Sequence, residues 1–117
     1  EADASFNPKS RHMISDFYDW DYVGAPWSRS AQREWGMPDV GGNGGLVLST
    51  RKMRIDVVDN CTINKSECEN EDIWFSACGK KEYGDKYKFA REEVAKLFVV
   101  ETVCYGDPIG VHKPLCV

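Results

Sequence analysis

The chain has 117 residues, with 15 basic and 19 acidic side chains and a net charge of −4. This mild negative charge does not fit binding to nucleic acid or to an anionic membrane surface through a basic patch. The longest apolar stretch, Leu97 to Val100, is far shorter than the roughly 20 residues that span a bilayer. Length and a hydrophobic content of 42% predict a single domain over residues 1–117 with an ordinary core.

The first 45 residues carry weak structural signals. Residues 1–10 show little periodicity and predict a loose N-terminal arm. Residues 12–18 alternate in a way that predicts a first strand. Residues 19–45 hold three of the four tryptophans, and a loop of that length often contains a short helix or strand. The run Gly41–Gly45 predicts a turn, because glycine adopts left-handed backbone conformations at little cost.

Strand signals dominate the second half. Met53, Ile55 and Val57 alternate with charged residues, which is the period of a half-buried strand. Residues 60–70 are polar and predict an exposed loop, and residues 90–96 have the spacing of one helical turn. Further strands are predicted at 46–48, 73–78, 86–89, 97–104 and near Val111. Short strands separated by turns predict an all-β fold, a small antiparallel barrel or sandwich.

All five cysteines, and two glycosylation sequons that begin at Asn60 and Asn64, lie in the second half. Disulfides persist in oxidising compartments and sequons are used in the secretory pathway, so we expect a secreted protein. No signal peptide is visible at Glu1, which suggests a mature form. On the predicted strands, a bridge could join Cys61 to Cys78 and another Cys104 to Cys116, although a Cys61–Cys68 pair would leave Cys78 unpaired instead. Cys68 is the remainder, and a covalent homodimer through Cys68 is a hypothesis.

Four segments occur in an order that resembles a known family: residues 14–18, 72–79, 87–89 and 98–104, with cysteines at 61, 78, 104 and 116. The sequence resembles the Alt a 1-like family of secreted fungal proteins, a group of allergens and elicitors of plant cell death. The resemblance implies an antiparallel β-barrel or sandwich stapled by the disulfides Cys61–Cys78 and Cys104–Cys116. It also implies a role at the surface of a plant host without catalysis. Relative to this family, residues 19–45 are an insertion and Cys68 is an addition.

Three sets of residues offer possible chemistry. A small nuclease needs a general acid, a general base and a group that binds the phosphate, and these could be supplied by His12, His112, Glu101 and Arg54. The simpler interpretation is that the two histidines lie on the surface and that Glu101 faces outward. Asp16, Asp19 and Asp21 could offer oxygens to calcium, but they lack the spacing of a calcium loop. The Gly41–Gly45 run lacks the lysine and hydroxyl of a P-loop. We therefore expect no catalytic site, no metal and no cofactor.

Aromatic and arginine side chains cluster in the 19–45 segment. Tryptophan, tyrosine and arginine dominate binding hot spots, so these residues are a candidate partner-binding set. Such rings could instead stack on sugars or fill the core. The set consists of Trp20, Tyr22, Trp27, Arg29, Arg33 and Trp35.

These observations predict a secreted, non-catalytic, effector-like fungal protein. Its expected partner is an apoplastic defence protein of a host plant, which it would inhibit or through which it would elicit immunity. Two alternatives from other classes remain: a small secreted hydrolase, either a nuclease or a glycan-active enzyme, and a lectin-like carbohydrate-binding module.

Overall fold

A computed structural model of the chain describes residues 3–61 and 70–113, and within them the fold is mixed α/β. The predicted all-β barrel or sandwich is wrong, because four α-helices form and the strands make two small separate sheets. None of these helices is long and apolar enough to cross a membrane. In chain order the elements are β1 (Ala4–Phe6), a 3-10 helix (Ile14–Phe17), β2 (Tyr22–Ala25), α1 (Arg29–Trp35), β3 (Asn43–Ser49), α2 (Arg51–Asn60), α3 (Glu71–Tyr83), α4 (Glu92–Phe98), β4 (Val99–Val100) and β5 (Gly110–His112).

The two sheets join segments that are distant in sequence. In the three-stranded sheet, β5 is central, with β1 antiparallel on one side and β4 parallel on the other. In the two-stranded sheet, β2 and β3 are antiparallel, and an irregularity lies between Val23 and Ala25. Residues 4–6 of the predicted loose arm therefore form an ordered strand, with Ala4 opposite His112.

Strand β2 separates two clusters of buried side chains. Successive residues of a strand point to opposite faces, so Tyr22 and Val23 belong to different clusters. One cluster contains Phe17, Val23, Ala25, Ala90, Ala95, Phe98, Val99 and Ile109. The other contains Tyr22, Val40, Met53, Val57, Phe75, Tyr87 and Phe89. All four residues of β2 are consequently buried.

Two predicted strands are helices. Met53 and Val57 are both buried in α2, where a separation of four residues places them on one face. Ile55, which the strand pattern grouped with them, is exposed. The predicted strand at 73–78 lies inside α3, which has Glu71 and Asp72 in its first turn and Lys80 and Lys81 in its last. These charges complement the helix dipole and stabilise a helix over this run.

Other predictions have mixed outcomes. The predicted strand at 12–18 contains the 3-10 helix, residues 86–89 contribute an isolated bridge from Phe89 to Tyr22, and only residues 99–100 of the 97–104 segment are extended. The strand at 46–48, the helical turn within 90–96 and the last strand near Val111 are confirmed. Segment 19–45 contains β2, α1 and the start of β3.

Substitution of Gly79 tests the packing of α3 against the buried cluster that contains Phe89 and Val57. An added Cβ would stand 2.8 Å from Cζ of Phe89 and 3.5 Å from Val57 Cγ2. Alanine normally stabilises a helix by up to about 1 kcal/mol over glycine, but here the methyl group would overlap a buried ring. We expect Gly79→Ala to lower the free energy of unfolding by about 1–3 kcal/mol in urea denaturation.

Gly106→Ala is the matched control, because an added Cβ there meets no atom within 4 Å. It should leave the unfolding free energy nearly unchanged. A stabilised Gly79→Ala variant would contradict the packing of α3 against Phe89.

Candidate functional site

A polar pocket of about 310 Å³ lies beside the first residues of β3. The start of α3 forms one part of its wall and the end of β5 forms another. Six of its lining residues have ionisable or amide side chains. We call it the polar pocket, and its lining residues are Asn43, Gly44, Gly45, Asn70, Glu71, Asp72, His112 and Lys113.

Helix α3 holds the glycine run by two hydrogen bonds. Ser76 Oγ accepts a hydrogen bond from the Gly42 N–H, and Asp72 Oδ2 accepts one from the Gly44 N–H, both at 3.1 Å. Asp72 also accepts a bond from the Ile73 N–H at 2.7 Å. Ser76 is fully buried and Asp72 is nearly so. These side chains therefore fix the backbone of the run from the helix side.

The run must be glycine at several positions. Gly41 and Gly42 have φ angles of 81° and 139°, which side chains rarely tolerate. A Cβ on Gly41 would overlap the Ser76 side chain, and a Cβ on Gly45 would overlap the His112 ring. The glycines thus allow both α3 and β5 to approach the same stretch of backbone.

Tyr22 also contacts the glycine run, through its hydroxyl group. Its hydroxyl donates a hydrogen bond to the Gly42 carbonyl at 3.1 Å, and its ring stacks between Phe75 and Phe89. Burial raises the pKa of Tyr22 well above its usual value, so the hydroxyl keeps the proton that it donates.

His112 lies between two carboxylates on the β5 side. Its Nδ1 is 3.6 Å from Glu101 Oε1, and its Nε2 is 3.5 Å from Asp3 Oδ1. Asp3 also pairs with Lys113 at 3.1 Å, and this hydrogen bond lowers the pKa of Asp3. Burial raises the pKa of Glu101, against the opposite effect of His112. The positive charge of Lys113 is therefore balanced by Asp3, and Glu101 adds a second carboxylate beside His112.

Glu71 and Asp72 have different environments although they are adjacent. Asp72 is buried and bonded to backbone N–H groups, so its role is to hold the glycine run. Glu71 is exposed, and its Oε1 would lie 3.1 Å from a Cβ on Gly44. No hydrogen bond or ion pair joins it to another described residue. Glu71 is consequently the carboxylate that can act on a bound molecule.

The four residues considered for a small nuclease come together only in part. Glu101 and His112 are neighbours, as described above. His12 instead bonds to the Tyr105 hydroxyl at 2.9 Å, and Arg54 bonds to Ser49 and lies over the Phe75 ring. The four residues do not form one site.

The predicted partner-binding set does not form one surface. Tyr22 and Trp27 are buried, with exposed fractions of 1% and 8%, and Trp20 packs partly buried against the first cluster. Trp35 is 68% exposed, and Arg29 and Arg33 are exposed with it on α1. The core-filling interpretation therefore holds for Tyr22 and Trp27.

The cysteines are described in part. Cys61 and Cys78 form a disulfide with a Cα separation of 6.3 Å, the pair that the family resemblance implied, but it joins the end of α2 to the interior of α3 and not two strands. Cys104 is disulfide-bonded as well. Asn60 is exposed at the end of α2, where its side-chain amide donates to the Asp56 carbonyl. The predictions for Cys68, Cys116 and Asn64 fall outside the described residues.

The three aspartates considered for calcium have no common site. Asp16 accepts a hydrogen bond from the Met13 N–H, and Asp21 accepts bonds from Thr50 and the Lys88 N–H. Within residues 3–61 and 70–113, no group of three His, Cys, Asp or Glu side chains is arranged to hold a metal ion.

Neither Glu71 nor the residues of α3 that hold the glycine run were among the predicted site residues. Asp72 and Ser76 fell in or next to a predicted strand, so the helical face that they share was not predicted. The available signal was the Asn70-Glu71-Asp72 start, an acidic first turn typical of a helix N-terminus.

One family model matches residues 1–112, and its description reads "protein of unknown function (DUF5672)". No curated protein and no solved structure matches the chain.

Glu101→Gln tests the buried wall of the polar pocket. Because the folded-state pKa of Glu101 is raised, its contribution to stability is complete below the ordinary value of 4.5 and is lost as the pH rises through the folded-state pKa. We expect the unfolding free energy of the wild type, relative to Glu101→Gln, to fall as the pH rises above 4.5. Urea denaturation at a series of pH values measures it.

The exposed Glu34→Gln controls for the loss of one negative charge. An unfolding free energy of the wild type that rises with pH, relative to that of Glu101→Gln, would contradict the burial of this carboxyl group.

Proposed function

Since the chain belongs to the DUF5672 family, whose description assigns no activity, we propose a function from the chemistry of the polar pocket. The chain is a glycan-active enzyme, in which the pocket binds a hydroxyl-rich sugar and Glu71 acts as the general base. This proposal takes up the glycan-active alternative and departs from the non-catalytic effector.

The ligand class follows from the balance of donors and acceptors. Two carboxylates and the two side-chain amides of Asn43 and Asn70 line the pocket. Lys113, the cation among the lining residues, is paired with Asp3. An acceptor-rich, net acidic lining favours ligands that donate hydrogen bonds, and it repels phosphate. Sugar hydroxyls supply such donors without adding negative charge, which makes a glycan a better substrate than a nucleic acid.

The backbone of the glycine run adds to recognition. Gly44 and Gly45 contribute only backbone atoms to the pocket lining, and the side chains of Glu71, Asp72 and His112 pack against them. The N–H groups of both residues are already bonded, to Asp72 and to Asn43. The run therefore offers a rigid wall whose shape is set before a ligand binds, which lowers the entropy cost of binding.

The exposed carboxylate of Glu71 beside this wall is the observation that carries the proposal. A general base must reach the proton that it removes. In glycosyl transfer or hydrolysis, Glu71 would take the proton of an attacking sugar hydroxyl or water as its oxygen bonds to the anomeric carbon. The bond from that carbon to the leaving oxygen breaks in the same step, and the leaving oxygen takes up a proton from water.

No described feature favours a host defence protein as the partner over other ligands. The aromatic residues offered for that role are divided between the core and the surface. The secretory location stays a prediction from the cysteines and sequons.

Glu71→Gln separates binding from catalysis. Gln keeps the shape and one acceptor oxygen but cannot take up a proton, so we expect turnover to fall by about 10²–10⁴-fold. The assay uses a panel of nitrophenyl glycosides, which carry no phosphate. Sugar binding should persist, measured as amide chemical-shift changes at residues 43–45 and 70–72 during titration with monosaccharides.

Glu82→Gln is the matched control, because Glu82 is exposed on the same helix but away from the pocket lining. Its turnover should equal that of the wild type. Turnover retained in Glu71→Gln would contradict the role of Glu71 as base, and an absence of shifts at residues 43–45 with every sugar would contradict the glycan site itself.

A further inference from the structure

The outward face of α2 exposes two aliphatic side chains that the core does not use. Ile55 is 47% exposed and Val58 is 59% exposed, whereas Met53 and Val57 on the opposite face are fully buried. The exposed pair lines an open groove of about 450 Å³ together with Arg51, Arg54, Asp59 and the ring of Phe75.

Charges are placed at the two ends of this face. Arg51, Ile55, Val58 and Asp59 occupy positions i, i+4, i+7 and i+8, so they share one side of the helix. Arg51 is therefore at one end of this face and Asp59 at the other, and the aliphatic side chains lie between them. Neither Arg51 nor Asp59 forms an ion pair with another described residue.

We propose that this face is the contact between two copies of the chain, with the two α2 helices packed antiparallel across a two-fold axis near Ile55. In this arrangement Arg51 of each copy lies opposite the partner's Asp59, and the aliphatic side chains meet at the centre. A parallel arrangement would place like charges together. The face is thus self-complementary, as a two-fold interface requires.

The size of the face sets the strength of the dimer. A helix of ten residues is about 15 Å long, so the contact falls at the small end of specific interfaces. We expect a weak, reversible dimer with a dissociation constant of about 10 µM to 1 mM.

Charge reversal on the full 117-residue chain tests the pairing. Arg51→Glu alone and Asp59→Arg alone should each raise the dissociation constant at least tenfold, since each creates a like-charge contact. The double variant restores both pairs in reversed order and should recover the wild-type constant to within about threefold. Sedimentation equilibrium over a range of protein concentrations measures the constants.

Val58→Asp tests the apolar centre and should abolish the dimer. Trp35→Asp is its control, because Trp35 is also strongly exposed but lies on α1. Circular dichroism of every variant verifies the fold. A wild type that is monomeric up to about 1 mM, a dimer unaffected by Val58→Asp, or a dimer that disappears only on reduction would overturn the proposal.

Discussion

The contact between helix α3 and the glycine run is the constraint on which the rest of the structure depends. Ser76 and Asp72 accept hydrogen bonds from the Gly42 and Gly44 N–H groups, and the helix lies too close to Gly41 for a side chain there. Strand β3 begins at the end of this contact and pairs with β2, which divides the two buried clusters. A shift of α3 would therefore displace the sheet and the core together.

The same contact gives the polar pocket its chemistry. Since the carboxylate of Asp72 is bonded to the backbone and buried, the neighbouring Glu71 is the one that faces solvent at the first turn of α3. On the other side, Gly45 admits the ring of His112 from β5. The close approach of α3 and β5 to the glycine run, which has few side chains, thus produces an acceptor-rich cavity. The proposed glycan chemistry uses this cavity without any further element.

Part of the fold was predictable from the sequence, and the predictions that were wrong have physical causes. Met53 and Val57 satisfy both a two-residue and a four-residue period, so alternation alone could not exclude α2, and the exposure of Ile55 decides between them. The apolar run at 73–78 fits a buried strand or a buried helix equally well, and the acidic start of α3 was the clue. The positive φ angles of Gly41 and Gly42 agree with the prediction of a turn at the glycine run, but residues 43–45 belong to β3, so the turn predicted over Gly41–Gly45 is wrong for that part. The meeting of Glu71 with Gly44 depends on long-range packing that no local pattern encodes.

Amide hydrogen exchange of the glycine run, followed by nuclear magnetic resonance, tests the central claim most directly. The N–H groups of Gly42 and Gly44 should exchange slowly relative to the exposed Gly106. In Asp72→Ala, Gly44 should lose its protection while Gly42, which is bonded to Ser76, keeps it. Exchange of Gly42 and Gly44 as fast as that of Gly106 in the wild type would show that α3 does not hold the run, and would contradict the account of both fold and pocket.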